Sequence, residues 1–226
     1  MNTQRIVTLI LLCLCLTANA VASKKKYRFR SIAAQNDTLV VTFHVNDLMS
    51  NNVIDGLHKG MTAAIEYQVE LWKERPRWWD QVVTDHYIRL KVSFDQWEKR
   101  FIIETASGIS RMLNEDQLRR RCEDLSSIPV APISQLEDGC RYRLAVKVIL
   151  KPMSVENIQE IRRWLSGEVK QLNPKSITSE KAPEKKISDW LTGVMLNLTG
   201  FGNRIITAKS DPFLWKDGRL ILSGTD

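Results

Sequence analysis

The stretch that decides the fold is Met61–Phe94, MTAAIEYQVELWKERPRWWDQVVTDHYIRLKVSF. Met61, Ala63, Ile65, Tyr67, Val69 and Leu71 alternate with Thr62, Ala64, Glu66, Gln68 and Glu70. Beyond the Pro76-Arg77-Trp78-Trp79 corner, Ile88, Leu90, Val92 and Phe94 alternate with Arg89, Lys91 and Ser93. A period of two gives each segment one apolar and one polar face, the pattern of paired strands with a single buried side. Pro76 lacks the N–H that a ladder needs and stops the first strand. A hairpin centred near Arg77 sets Glu66 across from Arg89 and Ala64 across from Lys91. Facing opposite charges contribute about 0.2–1 kcal/mol per pair, so the polar faces read as structural rather than as a binding surface.

Upstream, Tyr27–Ile32 and Leu39–Val45 read as a first hairpin, with turn chemistry at Gln35-Asn36-Asp37. Asp47 to Leu57 reads as a short helix capped by Asp47, with Val53, Ile54 and Leu57 on its apolar side. Downstream, Lys99–Thr105 continues the meander as a third strand, and Asn114–Leu125 is a helix with Asn114 as its N-cap. Ser126–Pro132 (SSIPVAP) reads as a break. A turn at Gln135–Gly139 leads into a long strand in which Tyr142, Leu144, Val146, Val148 and Leu150 alternate with polar neighbours up to Pro152. Ser154–Leu172 and Ile187–Leu198 carry one-sided apolar stripes at helical spacing. Arg204–Ala208 and Arg219–Leu222 read as short strands around Asp217-Gly218.

Strands in series without a strand–helix–strand alternation predict a mainly β (α+β) fold, an antiparallel two-sheet β-sandwich-like domain of about six to eight strands with peripheral helices. The expected organisation is a signal peptide over 1–22, a β-rich exported domain over 23–165 and a polar linker over 166–186. A C-terminal amphipathic helix with short strands, over 187–226, then packs on the domain. The signal reading rests on Arg5, the apolar run Ile6–Leu16 and the small residues of Thr17–Ser23 (TANAVAS), with cleavage after Ala20 or Ala22. Lys24, Lys25, Lys26, Arg28 and Arg30 follow at once and pull the other way, towards an uncleaved N-terminal anchor that holds the body in the cytoplasm. An exported chain, periplasmic or envelope-associated, is the expectation.

The chain has 226 residues and a net charge of +7. That excess is far from the dense basic stripe of a nucleic-acid binder, and no nucleic-acid partner is expected. His44, His58 and His86 share no metal-ligand spacing. No phosphate-cradling glycine loop and no GxSxG is present, so neither a cofactor nor a standard catalytic constellation is expected.

Two cysteines, Cys122 and Cys140, lie outside the signal segment. In an oxidising compartment they form a disulfide, or else they pack as two separately buried thiols; sequence leaves both open. Helical spacing places Cys122 with Leu118 and Leu125, which argues against an activated thiol. Trp78 and Trp79, flanked by Arg75 and Arg77, are the one unusual surface candidate. They read as a structural corner, one indole capping the open end of the sheet core and the other lying under its arginine neighbour. The competing reading is an exposed aromatic-basic tip for a membrane interface, a sugar or a partner.

From about Val53 to Leu165 the sequence resembles the bacterial exported proteins grouped as domain-of-unknown-function family 4390. Gly56-Leu57, Ile65–Leu71, Arg75–Asp80, Tyr87–Phe94 and Gly139-Cys140-Arg141-Tyr142 carry the resemblance. It implies a signal peptide or N-terminal anchor and a β-rich envelope domain, and it assigns no catalytic residues. The functional expectation is a non-catalytic module for contact with an envelope protein or a membrane surface. A lipid- or amphiphile-binding module is the alternative, and an enzyme using Cys122 comes third.

Overall fold

The computed structural model describes residues 27–153, 158–168 and 204–222. Two antiparallel sheets pack face to face. The smaller has the order β1-β2-β7, from β1 (Tyr27–Gln35), β2 (Thr38–Val45) and β7 (Asp124–Pro132). The larger has the order β11-β10-β8-β3-β4-β5-β6, and β9 also pairs with β8. Its strands are β3 (Thr62–Lys73), β4 (Gln81–Asp95), β5 (Arg100–Thr105), β6 (Gly108–Met112), β8 (Cys140–Met153), β9 (Arg204–Lys209), β10 (Phe213–Lys216) and β11 (Arg219–Leu222). The fold class is the expected one, with more strands among the described residues than sequence suggested.

β3 is the axis of the large sheet. It pairs with β8 from Thr62↔Met153 to Lys73↔Tyr142 and with β4 from Ala63↔Val92 to Lys73↔Gln81. The register expected from charge pairing is present, Glu66 facing Arg89 and Ala64 facing Lys91. The inner faces interlock Ile65, Tyr67, Val69, Leu71, Leu90, Val92, Leu144, Val146 and Val148 with Leu39, Val41, Phe43 and Val45 of the small sheet. Directly opposed residues share a face, so the period-2 patterns of β3, β4 and β8 add into one apolar layer.

β1 and β2 turn at Asn36 and Asp37, both left-handed (φ 45° and 60°), the two-residue turn whose twist matches a hairpin. Ser126–Pro132 is a correction: it belongs to β7. Two prolines are tolerated there because β7 pairs with β2 alone, so a missing N–H on its other side breaks no ladder. The helix expected from Asp47 starts later: α1 spans Asn51–His58, Asp47 is left-handed (φ 58°), and Leu48 and Met49 are drawn into the core ahead of it. β6 and β10, five and four residues long, are additional to the strands read from sequence.

α2 (Glu115–Glu123) begins as expected, with the Asn114 side chain accepting the Gln117 N–H at 2.9 Å. It turns Leu118 and Cys122 into the core, where the Tyr67 hydroxyl donates to the Cys122 carbonyl. α3 (Ile158–Leu165) lies against β4 and places Trp164 over Arg89 on the outer face of the large sheet. β9–β11 extend the same sheet through β8, so the C-terminal strands belong to the sandwich. Residues 169–186 of the expected linker and the expected helix over 187–198 lie outside the described residues, as does the expected signal segment.

Candidate functional site

The end of the β3–β4 hairpin is built by running past the layer that covers the rest of it. Val130 of β7 reaches across to Thr84, whose hydroxyl donates to its carbonyl at 2.8 Å. Beyond that, β3 and β4 stay paired to Lys73↔Gln81, and residues 74–80 continue with no second sheet above them among the described residues. The chain reverses at Arg75-Pro76-Arg77-Trp78. Trp78 N–H donates to the Arg75 carbonyl at 3.3 Å and Arg77 is left-handed at φ 74°. This is the type II arrangement, with proline at the second position and positive φ at the third, where glycine is usual.

Trp78 is 78 % exposed and Trp79 93 % exposed, and Arg75, Arg77 and Asp80 are exposed beside them. The reading of the pair as a cap on the sheet core is therefore corrected: neither indole is covered. The physical reason is length, since the hairpin outruns the small sheet. Just below the corner the charges are already matched. Glu74 binds Arg143 at 2.7 Å and Lys73 binds Glu137 at 2.5 Å. That contact holds the Glu137 carboxyl below its usual range and raises the Lys73 ammonium. Trp72 donates its indole N–H to Glu70 at 2.8 Å. Arg75 and Arg77 have no carboxylate within ion-pair distance among the described residues.

Cys122 and Cys140 are free thiols. Cys122 sits beneath Tyr67, which pairs with Val148, whereas Cys140 begins the same strand opposite Trp215. Eight residues of strand separate those levels, roughly 26 Å, well beyond the roughly 7 Å reach of a disulfide. Burial pushes the Cys122 thiol up to about 12, so it is protonated at neutral pH and offers no nucleophile.

The histidines are less isolated than their spacing implied. His44 Nδ1 lies 2.7 Å from Asp124 Oδ1, which Arg30 also contacts at 2.8 Å. His58 packs edge-on against Phe94 and Phe101, with ring centroids 4.3 and 5.3 Å away. His86 faces Val69 and so shares the core side of the sheet. No cluster of three metal-ligating side chains occurs among the described residues.

Sequence reasoning missed the environment of the Glu66–Arg89 pair. At 2.7 Å, with side chains only 14 % and 8 % exposed, it is a buried ion pair rather than a surface one. Trp164 causes the burial. Its ring lies 5.6 Å from the Arg89 guanidinium, its indole N–H donates to Glu66 at 3.2 Å, and its carbonyl accepts from Arg89 at 3.0 Å. Tyr87 flanks the same guanidinium at 5.3 Å. The signal available was weak: an opposed charge pair on one strand pair and a tryptophan in a distant helical stripe.

Where the two sheets part, between β1 and β9, a cleft of about 980 Å³ is lined by both signs of charge, Arg28, Asp47, Arg119, Glu123, Lys209 and Asp211. The apolar slot beneath it, between Phe29, Phe43, Val146, Val148 and Ile206, holds about 10 Å³. That is room for about one water and not for an acyl chain. No helix among the described residues is long and apolar enough to cross a membrane.

No curated protein and no solved structure matches this chain. Residues 24–174 match the family model described as Domain of unknown function (DUF4390), which takes in most of the sandwich and the whole Trp78–Trp79 corner, and the chain belongs to that family.

Proposed function

We propose that this protein is a non-catalytic contact module of the bacterial cell envelope, exported by its N-terminal segment and engaging another envelope component through the Trp78–Trp79 corner. The observation that carries the reading is the exposure of two adjacent indoles at a projecting turn, beside two arginines without ion-pair partners among the described residues. Large aromatic side chains left in water on a folded domain cost hydrophobic free energy, and such anchors with arginine are the groups that dominate contact surfaces. The export half rests on Arg5, Ile6–Leu16 and the small residues after it. The amphiphile reading draws less support, because the enclosed apolar slot holds only about 10 Å³ and the open groove of about 440 Å³ beside Val146 and Ala208 is also lined by Glu70, Lys147 and Lys209.

The test is site-specific photocrosslinking in intact cells, with the reactive group at position 79 in one strain and at position 97 in another. The expected result is a discrete adduct from position 79 and none from position 97. Equal labelling from both, or none from 79, overturns the contact reading. N-terminal sequencing of the native protein checks export, and a chain still starting at Met1 overturns the cleaved-signal part.

A further inference from the structure

We propose that the Trp78–Trp79 corner docks on an anionic phospholipid bilayer, the two indoles at headgroup depth and Arg75 and Arg77 over lipid phosphates. This rests on the reading of the corner as the contact site and names what it contacts.

Three observations favour a bilayer over a protein groove. The first is chemistry. An indole has an apolar body and one N–H, which suits a boundary with water on one side and acyl carbon on the other. Guanidinium groups match phosphate oxygens in a planar fork. Here both kinds of group stand side by side within residues 75–79, and the nearby acid Glu74 is already engaged by Arg143 at 2.7 Å. Asp80 is the remaining carboxylate of the corner.

The second is shape. The corner is a turn that projects past the end of the sheet, where β8 accompanies β3 as far as the bond from the Glu74 N–H to the Arg141 carbonyl at 2.9 Å, while a cleft of about 980 Å³ lies elsewhere, beside Arg28 and Lys209. A protein hot spot is normally central to a broad patch whose rim excludes water. Residues 74–80 offer no such rim, and a fluid surface that closes around a projection suits them better.

The third is an internal contrast. Trp97 is 96 % exposed at the other end of β4. It sits between Asp95 and Glu98, and the Asp95 carboxylate accepts the N–H groups of Trp97 and Glu98 at 2.8 and 3.0 Å. Exposure is the same, but the charged residues nearest Trp97 are acids, Asp95 already engaged by backbone N–H groups and Glu98 by Arg111 at 3.7 Å, with Lys99 and Arg100 following. β4 has 15 residues, which separates the two ends by roughly 45–50 Å. Only one end can meet a flat surface head-on, so the domain stands end-on with Trp97 away from the lipid.

The experiment uses the full chain with vesicles of phosphatidylethanolamine and phosphatidylglycerol, and with vesicles of phosphatidylcholine alone. The readout is quenching of tryptophan fluorescence by acyl-chain-brominated lipid. It is compared in wild type, the double variant Trp78→Phe/Trp79→Phe, and Trp97→Phe. The expected result is quenching on anionic vesicles that the double variant loses and Trp97→Phe keeps. Replacing Arg75 or Arg77 by Gln weakens this binding component by about fivefold each. These positions are exposed, and circular dichroism of each variant checks that folding is unchanged. Quenching equal in wild type and the double variant, or equal on both lipid compositions, overturns the bilayer assignment. In that case a protein adduct from position 79 in cells leaves the contact-site reading standing with a protein as the partner. Loss of both signals removes both.

Discussion

The two turns that β4 joins share their exposure and differ in how they close and in the charges beside their tryptophans. The Asp95–Arg100 turn and the 74–80 corner each hold tryptophan in water, and each carries a cation at positive φ, Lys99 at 54° and Arg77 at 74°. The first satisfies its own backbone through the Asp95 carboxylate and presents acid on both sides of Trp97. The second closes with a backbone bond, and its Arg75 and Arg77 have no carboxylate within ion-pair distance among the described residues, although Arg75 is near enough to Glu137 to help hold that carboxyl down. An exposed aromatic residue is therefore not a site by exposure; the charges around it, and whether they are already engaged, separate the two ends.

The comparison breaks most severely if the body between the ends is not rigid. The buried Glu66–Arg89 pair under Trp164 is the place to test that. Glu66→Gln leaves the Arg89 charge nearly buried without its carboxylate, and a loss of about 3–5 kcal/mol in urea unfolding is expected. Trp78→Ala and Trp97→Ala should each stay within about 0.5 kcal/mol of wild type, since neither indole is packed. A tip substitution as damaging as Glu66→Gln would mean the corner is held by contacts and is not a free projection.

A second, smaller effect separates the ends by pH. The Glu98 and Trp97 N–H groups hold the Asp95 carboxyl below its ordinary range of about 3.8. A depressed folded value contributes stability that is present above the unfolded value and is lost as pH falls through the folded one. Amide exchange at Trp97 and Glu98, corrected for its intrinsic pH dependence, should therefore become less protected on acidification below about pH 4. The Trp78 amide, bonded to the Arg75 carbonyl, has no such carboxylate acceptor. Asp95→Asn should flatten the difference, and equal loss of protection at both turns would contradict it.

The smallest effect sharpens the comparison most. Arg77→Gly and Lys99→Gly each relieve a left-handed residue, for a net gain of about 1 kcal/mol or less. Both should raise the melting temperature slightly. Only Arg77→Gly should weaken binding to anionic vesicles, by about fivefold. Parallel behaviour of the two variants in the vesicle assay would erase the distinction between the turns.

Much of the fold was legible because strand period and charge pairing are local. The alternation in Met61–Phe94 specified both strands and their register, and the observed Glu66↔Arg89 pairing follows from it. Asn114 marked its helix start because a cap is a one-turn interaction. β7 was not legible, since its prolines forbid a central strand and only its place at an edge makes them harmless. The corner was legible as a motif but not as a surface. The same four residues serve as a buried cap or as a free tip, depending on how far the opposite sheet extends.

Sequence by itself determined the β-rich architecture, the axis strand β3 and the residues of the one unusual corner, because periodicity and turn chemistry depend on neighbours along the chain. Tertiary structure alone decided that Trp78 and Trp79 stand in water, that Glu66 and Arg89 are buried under Trp164, and that Cys122 and Cys140 lie too far apart to bridge. Each of those outcomes depends on which layer covers which face, and coverage is set by segments distant in sequence whose reach only packing fixes.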